Sequence, residues 1–252
     1  MSIDVIELGD FMARWYWSVV RLGGFMMVMP IFGNRLIPVR VRIGVLLACA
    51  TLVASVLPAA PAPFEFDIAI VITTAQQLLS GIALGFSAVL FFQIFVIAGQ
   101  FIGMQMGLGF AALVDPGNGL NVTVWSQFFL MLVTLTFLSV DGHLVMLQVM
   151  IEGFVSHPVG LQVAPQTIVA DLVESASWMF ASGLRVALPA VMAQLIVNIA
   201  FGVMNKAAPA LNVFSLGFPF GLLFGLVIIG LIVQGFDALF QELVRDYFGR
   251  LR

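Results

Sequence analysis

The chain has 252 residues, of which 62% are hydrophobic and only 9% charged, against roughly a quarter in an ordinary soluble domain. Ten basic and 13 acidic side chains leave a formal charge of −3, so no basic face exists for nucleic acid. Cys49 is alone, which excludes an intrachain disulfide, and His143 and His157 have no ligand spacing around them, so no metal or other cofactor is expected.

Such a composition points to an all-α, polytopic membrane protein of about six to seven apolar helices, some long or broken, in a single domain over 1–252. Asp4, Glu7 and Asp10 stand where a signal peptide would carry lysine or arginine, so the first apolar helix is expected to stay in the protein. That helix runs through 11–34, interrupted by Arg14 and Arg21. Glu7, Arg14 and Arg21 are spaced by seven and share one helix face. A lipid-exposed charge costs at least ~2.5 kcal/mol, so the stripe faces protein or water. The other reading is a plain interfacial anchor, with Trp15, Tyr16 and Trp17 at headgroup level.

A second helix is expected over 43–57, ended by the proline-rich stretch 58–63. Then 68–114 carries no charge over 47 residues. As one helix it would be about 70 Å long, so it is either a hairpin or a rod projecting beyond the bilayer. Gly99, Gly103 and Gly107 recur along it every fourth residue, as do Gly81 and Gly85, a spacing that lets helix backbones approach.

The stretch 104–123 holds Met104, Met106, Phe110 and Leu113 beside Asp115, Pro116, Gly117 and Asn118. The last four are strong turn formers. Two readings stand on the residues alone. One is an ordinary hairpin tip. The other is a loop whose soft methionines and glycines plug a lumen. The next apolar segment covers about 122–140, and Asp141-Gly-His143 reads as a helix-end turn. A weakly polar loop is expected over 152–170, followed by helices over about 171–203 and 213–240 and a basic tail at Arg245, Arg250 and Arg252.

Charge-free runs of 20 residues (186–205) and 30 residues (207–236) flank Lys206. Either can cross a hydrocarbon core of about 30 Å. Yet the junction carries Asn205, Pro209, Asn212 and Pro219, which would leave backbone groups unpaired in lipid. Broken polar backbone survives at membrane depth only under the cover of protein or a water-filled path. Gly217, Gly221 and Gly225 form a further ladder beyond it. Arg185 reads as a partner in a salt bridge or as a gating charge.

The loop charges fit no simple topology. Arg35, Arg40 and Arg42 put the first loop in the cytoplasm. Six crossings then leave the basic tail outside, whereas seven strand Lys206 there. Hydrophobicity here therefore also serves subunit contacts. No Walker loop, Gly-x-Ser-x-Gly elbow or His-Glu-x-x-His is present, and the chain reads as a non-enzyme.

The segment Met-Asn-Lys-Ala-Ala-Pro-Ala-Leu-Asn-Val-Phe-Ser-Leu-Gly-Phe-Pro-Phe-Gly-Leu at 204–222 resembles the C-terminal signature of the FliR/SctT family of type III export proteins. Pro30-Ile-Phe-Gly-Asn-Arg35 with Pro38 and Arg40 is similar to that family's first loop. Gln100 to Leu108 followed by Asp115-Pro116 is similar to its central loop. The resemblance covers nearly the whole chain, and Gly217-Phe-Pro-Phe220 looks more flagellar than injectisome.

It implies an export-gate subunit in the bacterial inner membrane and the flagellar basal body. Its partners would be FliP and FliQ, FlhB at the entrance, an FlhA-like component, and unfolded rod, hook and filament proteins passing through. The hetero-oligomeric helical assembly would stand partly above the bilayer. By the same resemblance 106–121 is a plug. Asn205, Lys206, Pro209, Asn212 and Phe214 then form a broken segment at subunit contacts. An injectisome subunit is the nearest alternative. A secondary transporter would need a matching broken helix pair in the first half, and none is found there. An intramembrane enzyme would need a nucleophile and base.

Overall fold

The computed structural model describes residues 5–34, 37–57, 68–109, 123–160, 165–207 and 213–251, with backbone alone at 5, 6, 165–167, 213–216 and 218. Among these residues the fold is entirely helical. In chain order the helices are α1 (Val5–Val28), α2 (Val39–Val56), α3 (Ile68–Gln105), α4 (Val124–Ser139), α5 (Gly142–Ser156), α6 (Pro165–Ala207), α7 (Val213–Gln234) and α8 (Phe236–Arg250). Three are long and apolar enough to cross a membrane: α2, α3 and α6 from Ile168. Counting the broken pairs α4 with α5 and α7 with α8 as one span each makes five.

Local sequence explains the boundaries. Pro38 precedes α2, where its missing N–H costs nothing. Leu57 leaves α2 in extended backbone, the conformation that a following proline favours. Asp141 adopts the left-handed region at φ 56°, and its carbonyl accepts the N–H of Leu144 at 2.8 Å, so α4 stops and α5 restarts within one turn. Pro165 is the first residue of α6, a position where proline is favoured.

The structure settles one open reading and corrects three expectations. Of the two readings of 68–114 the rod holds over the described residues: α3 is one helix of 38 residues, about 57 Å. No proline, asparagine or aspartate interrupts 68–105, so apart from glycine and serine the stretch lacks turn formers. The loop drawn over 152–170 is too long, because α5 continues to Ser156, where Gln148 Nε2 donates to Glu152 Oε1 at 2.8 Å across one turn. The helix drawn over 213–240 is two helices, bent by 59° at Gly235. Pro219 breaks nothing. It lies inside α7. Eight helices thus stand among the described residues, or six when each broken pair is taken as one.

The chain packs as two compact units, Met1–Leu90 with Val140–Ala176 and Phe91–Ser139 with Ser177–Arg252. In the first, glycines bring α1 against α3. A Cβ at Gly24 would stand 2.6 Å from the carbonyl oxygen of Leu78, and one at Gly85 2.7 Å from that of Phe25. Leu22, Phe25, Met26 and Met29 are buried on the α1 side. The second unit is built on aromatic rings. Phe91 lies 5.8 Å from Phe95, 5.9 Å from Phe137 and 4.9 Å from Tyr247, and Phe95 lies 5.4 Å from Phe236. Tilted and edge-on pairs at these separations add to plain burial.

Candidate functional site

The second unit holds both ends of the stretch that the sequence marks as a hairpin tip or a plug. At the leading end α3 closes with a glycine turn. Gly107 takes φ 83°, its N–H donates to Met104 O at 3.0 Å, and the N–H of Leu108 reaches back to Gly103 O at 3.0 Å. This paired closure satisfies carbonyls that a helix end otherwise leaves bare, and it requires a residue that tolerates positive φ. Met106, buried just before the turn, fills a notch at Gly225, where a Cβ would stand 2.7 Å from its Cγ and Sδ. Asn198 Nδ2 on α6 donates to the carbonyl of Gln105 at 3.3 Å. One turn earlier on α6, the buried Gln194 donates through Nε2 to Gly221 O at 3.1 Å.

The trailing end returns to the same two turns of α3. Thr123 N–H donates to Gln100 Oε1 at 3.0 Å, and its Oγ1 donates to Gly99 O at 3.1 Å. The same Oγ1 accepts the N–H of Ser126 at 3.3 Å, the contact of a helix N-cap. Ser126 Oγ–H has Val96 O at 2.8 Å and Gln100 Oε1 at 3.2 Å in reach. Gly99 and Gly103 make room for this. A Cβ at Gly99 would stand 2.7 Å from Ser126 N, and one at Gly103 2.8 Å from the Thr123 side chain. The chain therefore leaves α3 beyond Met106 and comes back against Gly103.

Other residues singled out by sequence fall elsewhere. Met104 is exposed. Phe110, Leu113, Asp115, Pro116, Gly117 and Asn118 lie outside the described residues, as do Pro209 and Asn212. Asn205 and Lys206 are exposed at the end of α6, Phe214 lies in the first turn of α7, Gly217 is half-buried and Pro219 exposed. Gly107 sits in the turn that ends α3, beyond the helix itself. Among the described residues no group of histidine, cysteine or carboxylates could hold a metal ion.

A family model described as bacterial export proteins, family 1, matches residues 12–247. The chain belongs to that family. It is 34% identical over 251 residues to the flagellar biosynthetic protein FliR of Pectobacterium carotovorum subsp. carotovorum, covering 100% of this chain and 96% of that relative. It is 32% identical over 237 residues to FliR of Escherichia coli (strain K12), covering 94% and 90%. FliR of Aquifex aeolicus (strain VF5) matches at 28% over 250 residues, covering 98% and 95%. These matches agree with the FliR/SctT resemblance carried by 204–222.

For a member of this export family, the sequence reading missed the polar contacts that fix the loop ends. Thr123 and Ser126 at Ncap and N3 spacing were legible as a helix start. The role of Gln100 was not, because an amide on an apolar helix carries no periodic signal. Gln194 and Asn198, four apart on α6, were open to the same reading as one face. Arg185 makes an ion pair with Glu242 at 3.7 Å, and both side chains are mostly exposed, at 73% and 64%. Exposed pairs contribute at most about 1 kcal/mol. Arg185→Gln should therefore lower the thermal unfolding midpoint of the purified protein by no more than about 4 °C. A larger fall would show that this arginine does more than pair on a surface.

Proposed function

We propose that the chain is a non-enzymatic subunit of the flagellar type III protein export gate, a single membrane-embedded functional domain in the bacterial inner membrane at the flagellar basal body. It forms a protein-conducting channel with FliP and FliQ, with FlhB-like and FlhA-like components beside it, for unfolded flagellar substrates. Family membership supports the export setting, and the flagellar names of the relatives favour this system over an injectisome.

One observation carries the need for partners. Exposed apolar side chains run along α3, which carries no charge, from Ile68 through Ile72, Leu79 and Phe86 to Met104. That stretch is about 54 Å long at 1.5 Å per residue. A hydrocarbon core of about 30 Å covers it only if the helix tilts by about 55°, beyond the range of roughly 0–40° that membrane helices adopt. Even at a tilt of 40° about 15 Å of this length lies beyond the core and calls for protein cover. Within this reading 106–121 is the plug, and Asn205, Lys206, Pro209, Asn212 and Phe214 meet neighbouring subunits.

Native mass spectrometry of the tagged chain, extracted in mild detergent, tests the proposal. The expected species is a hetero-oligomer with other small membrane subunits. A well-ordered monomer as the dominant species would overturn it.

A further inference from the structure

The two arginines of α1 make the same unusual contact twice. Arg14 Nη1 donates to the carbonyl of Leu57, the C-cap residue of α2, at 3.0 Å. Arg21 Nη2 donates to the carbonyl of His157, the C-cap residue of α5, at 3.0 Å. All of these residues belong to the first unit. Arg21 is 3% exposed, and among the described residues neither arginine has a carboxylate within ion-pair distance. Arg21 is instead held by Gln77 Oε1 at 2.6 Å and by the ring of Phe154, whose centroid lies 4.0 Å from the guanidinium carbon.

A helix C-terminus carries bare carbonyls and about half a negative charge, so it is a natural counterpart for a cation. A neutral amide and an aromatic face complete the shell without adding a buried anion. The planar guanidinium suits this, since its several fixed donors reach Gln77 and His157 together, which a lysine ammonium on a single flexible stem does less well.

We infer that Arg14 and Arg21 are helix-end clamps: seven residues apart on one face of α1, they close the C-termini of α2 and α5 and so fasten those two chain ends to the N-terminal helix. This gives both charges a structural purpose. Neither is a loop charge that reports sidedness, and neither needs a gating role.

Hydrogen–deuterium exchange of the full chain, purified with its bound subunits, reads each end separately. The reporting amides are Leu57 N–H, bonded to Val53 O at 3.0 Å, and His157 N–H, bonded to Gly153 O at 3.0 Å. Arg14→Gln should speed exchange in peptides covering 53–57 by about tenfold and leave 153–157 unchanged. Arg21→Gln should do the reverse. Lysine variants keep the charge, accumulate more readily and should show a smaller rise at the same end only. Loosening of both ends by either variant would reduce the arginines to general packing residues of α1. No change at either end would remove the clamp altogether.

Discussion

Replacing Gly81 with valine should strip the chain from the membrane fraction. A Cβ at this position would overlap the carbonyl oxygen of Arg21 and stand 3.0 Å from both Arg21 C and Phe25 N. The obstruction is backbone against backbone, so no side-chain rotation relieves it. α1 must move away from α3, and the close approaches at Gly24 and Gly85 are lost with it. Overpacking a well-filled interior costs about 1–3 kcal/mol and sometimes more. Here the figure belongs at the upper end, because the displacement also pulls Arg21 from Gln77 and unseats the fully buried Phe25. Against a marginal total stability of about 5–15 kcal/mol, that is enough to lower steady-state abundance severalfold. The control is Gly44→Ala, on a helix position with no atom within 4 Å of the added carbon, which should accumulate normally. Quantitative immunoblotting of membranes decides it, and equal levels of the two variants would mean that α1 and α3 are less tightly joined than their backbones indicate.

Excising 107–121 should make membranes that contain the complete assembly leaky to ions and small solutes. Met106 closes α3, and Thr123 stands one turn earlier, against Gly103. From residue 103 to 106 a helix rises about 4.5 Å. After excision Val122 alone joins Met106 to Thr123, and two peptide links span up to about 7 Å. With the sideways step from α3 to Thr123 added, the two links are close to full stretch, and the turn at Gly107 is lost. A leak therefore reports the missing loop only where the assembly keeps its normal composition, which is measured alongside. On the plug reading, the excision removes the bulk of Phe110 and Leu113. A passage that stays tight after excision, in an assembly of normal composition, would return the stretch to an ordinary hairpin tip.

Much of the fold was readable because lipid-facing helices advertise themselves by lack of charge. The limits of α2, α4 and α6 fall within a few residues of the charge and proline signals around them. Three things were hidden. The rod α3 was left open against a hairpin, since length alone cannot tell a projecting helix from two crossings. The break at Gly235 was invisible because glycine is so common in this chain that one more carried no weight. Helix α5 was not drawn, because Asp141-Gly-His143 read as a helix end and His157 and Pro158 as part of a loop, although the Gln148 and Glu152 pair already marked a helical face. For the candidate site the residue types of the loop were legible, but its anchoring was not. Asparagine, glutamine and threonine act there through single contacts to backbone carbonyls and amides, which leave no repeat in the sequence.

The unbroken length of α3 bears on how the protein is made. Insertion machinery hands nascent segments to the bilayer in pieces of about 20 residues, and 38 uncharged, mostly apolar residues in a row are readily taken as two such pieces. The glycines that seat α1 and α4 on this rod are also the weakest helix formers within it. A newly made chain is thus able to thread the segment twice, and only lateral association with its neighbours favours the straight form. Yield in the cell should accordingly follow the supply of those neighbours more closely than the rate of synthesis.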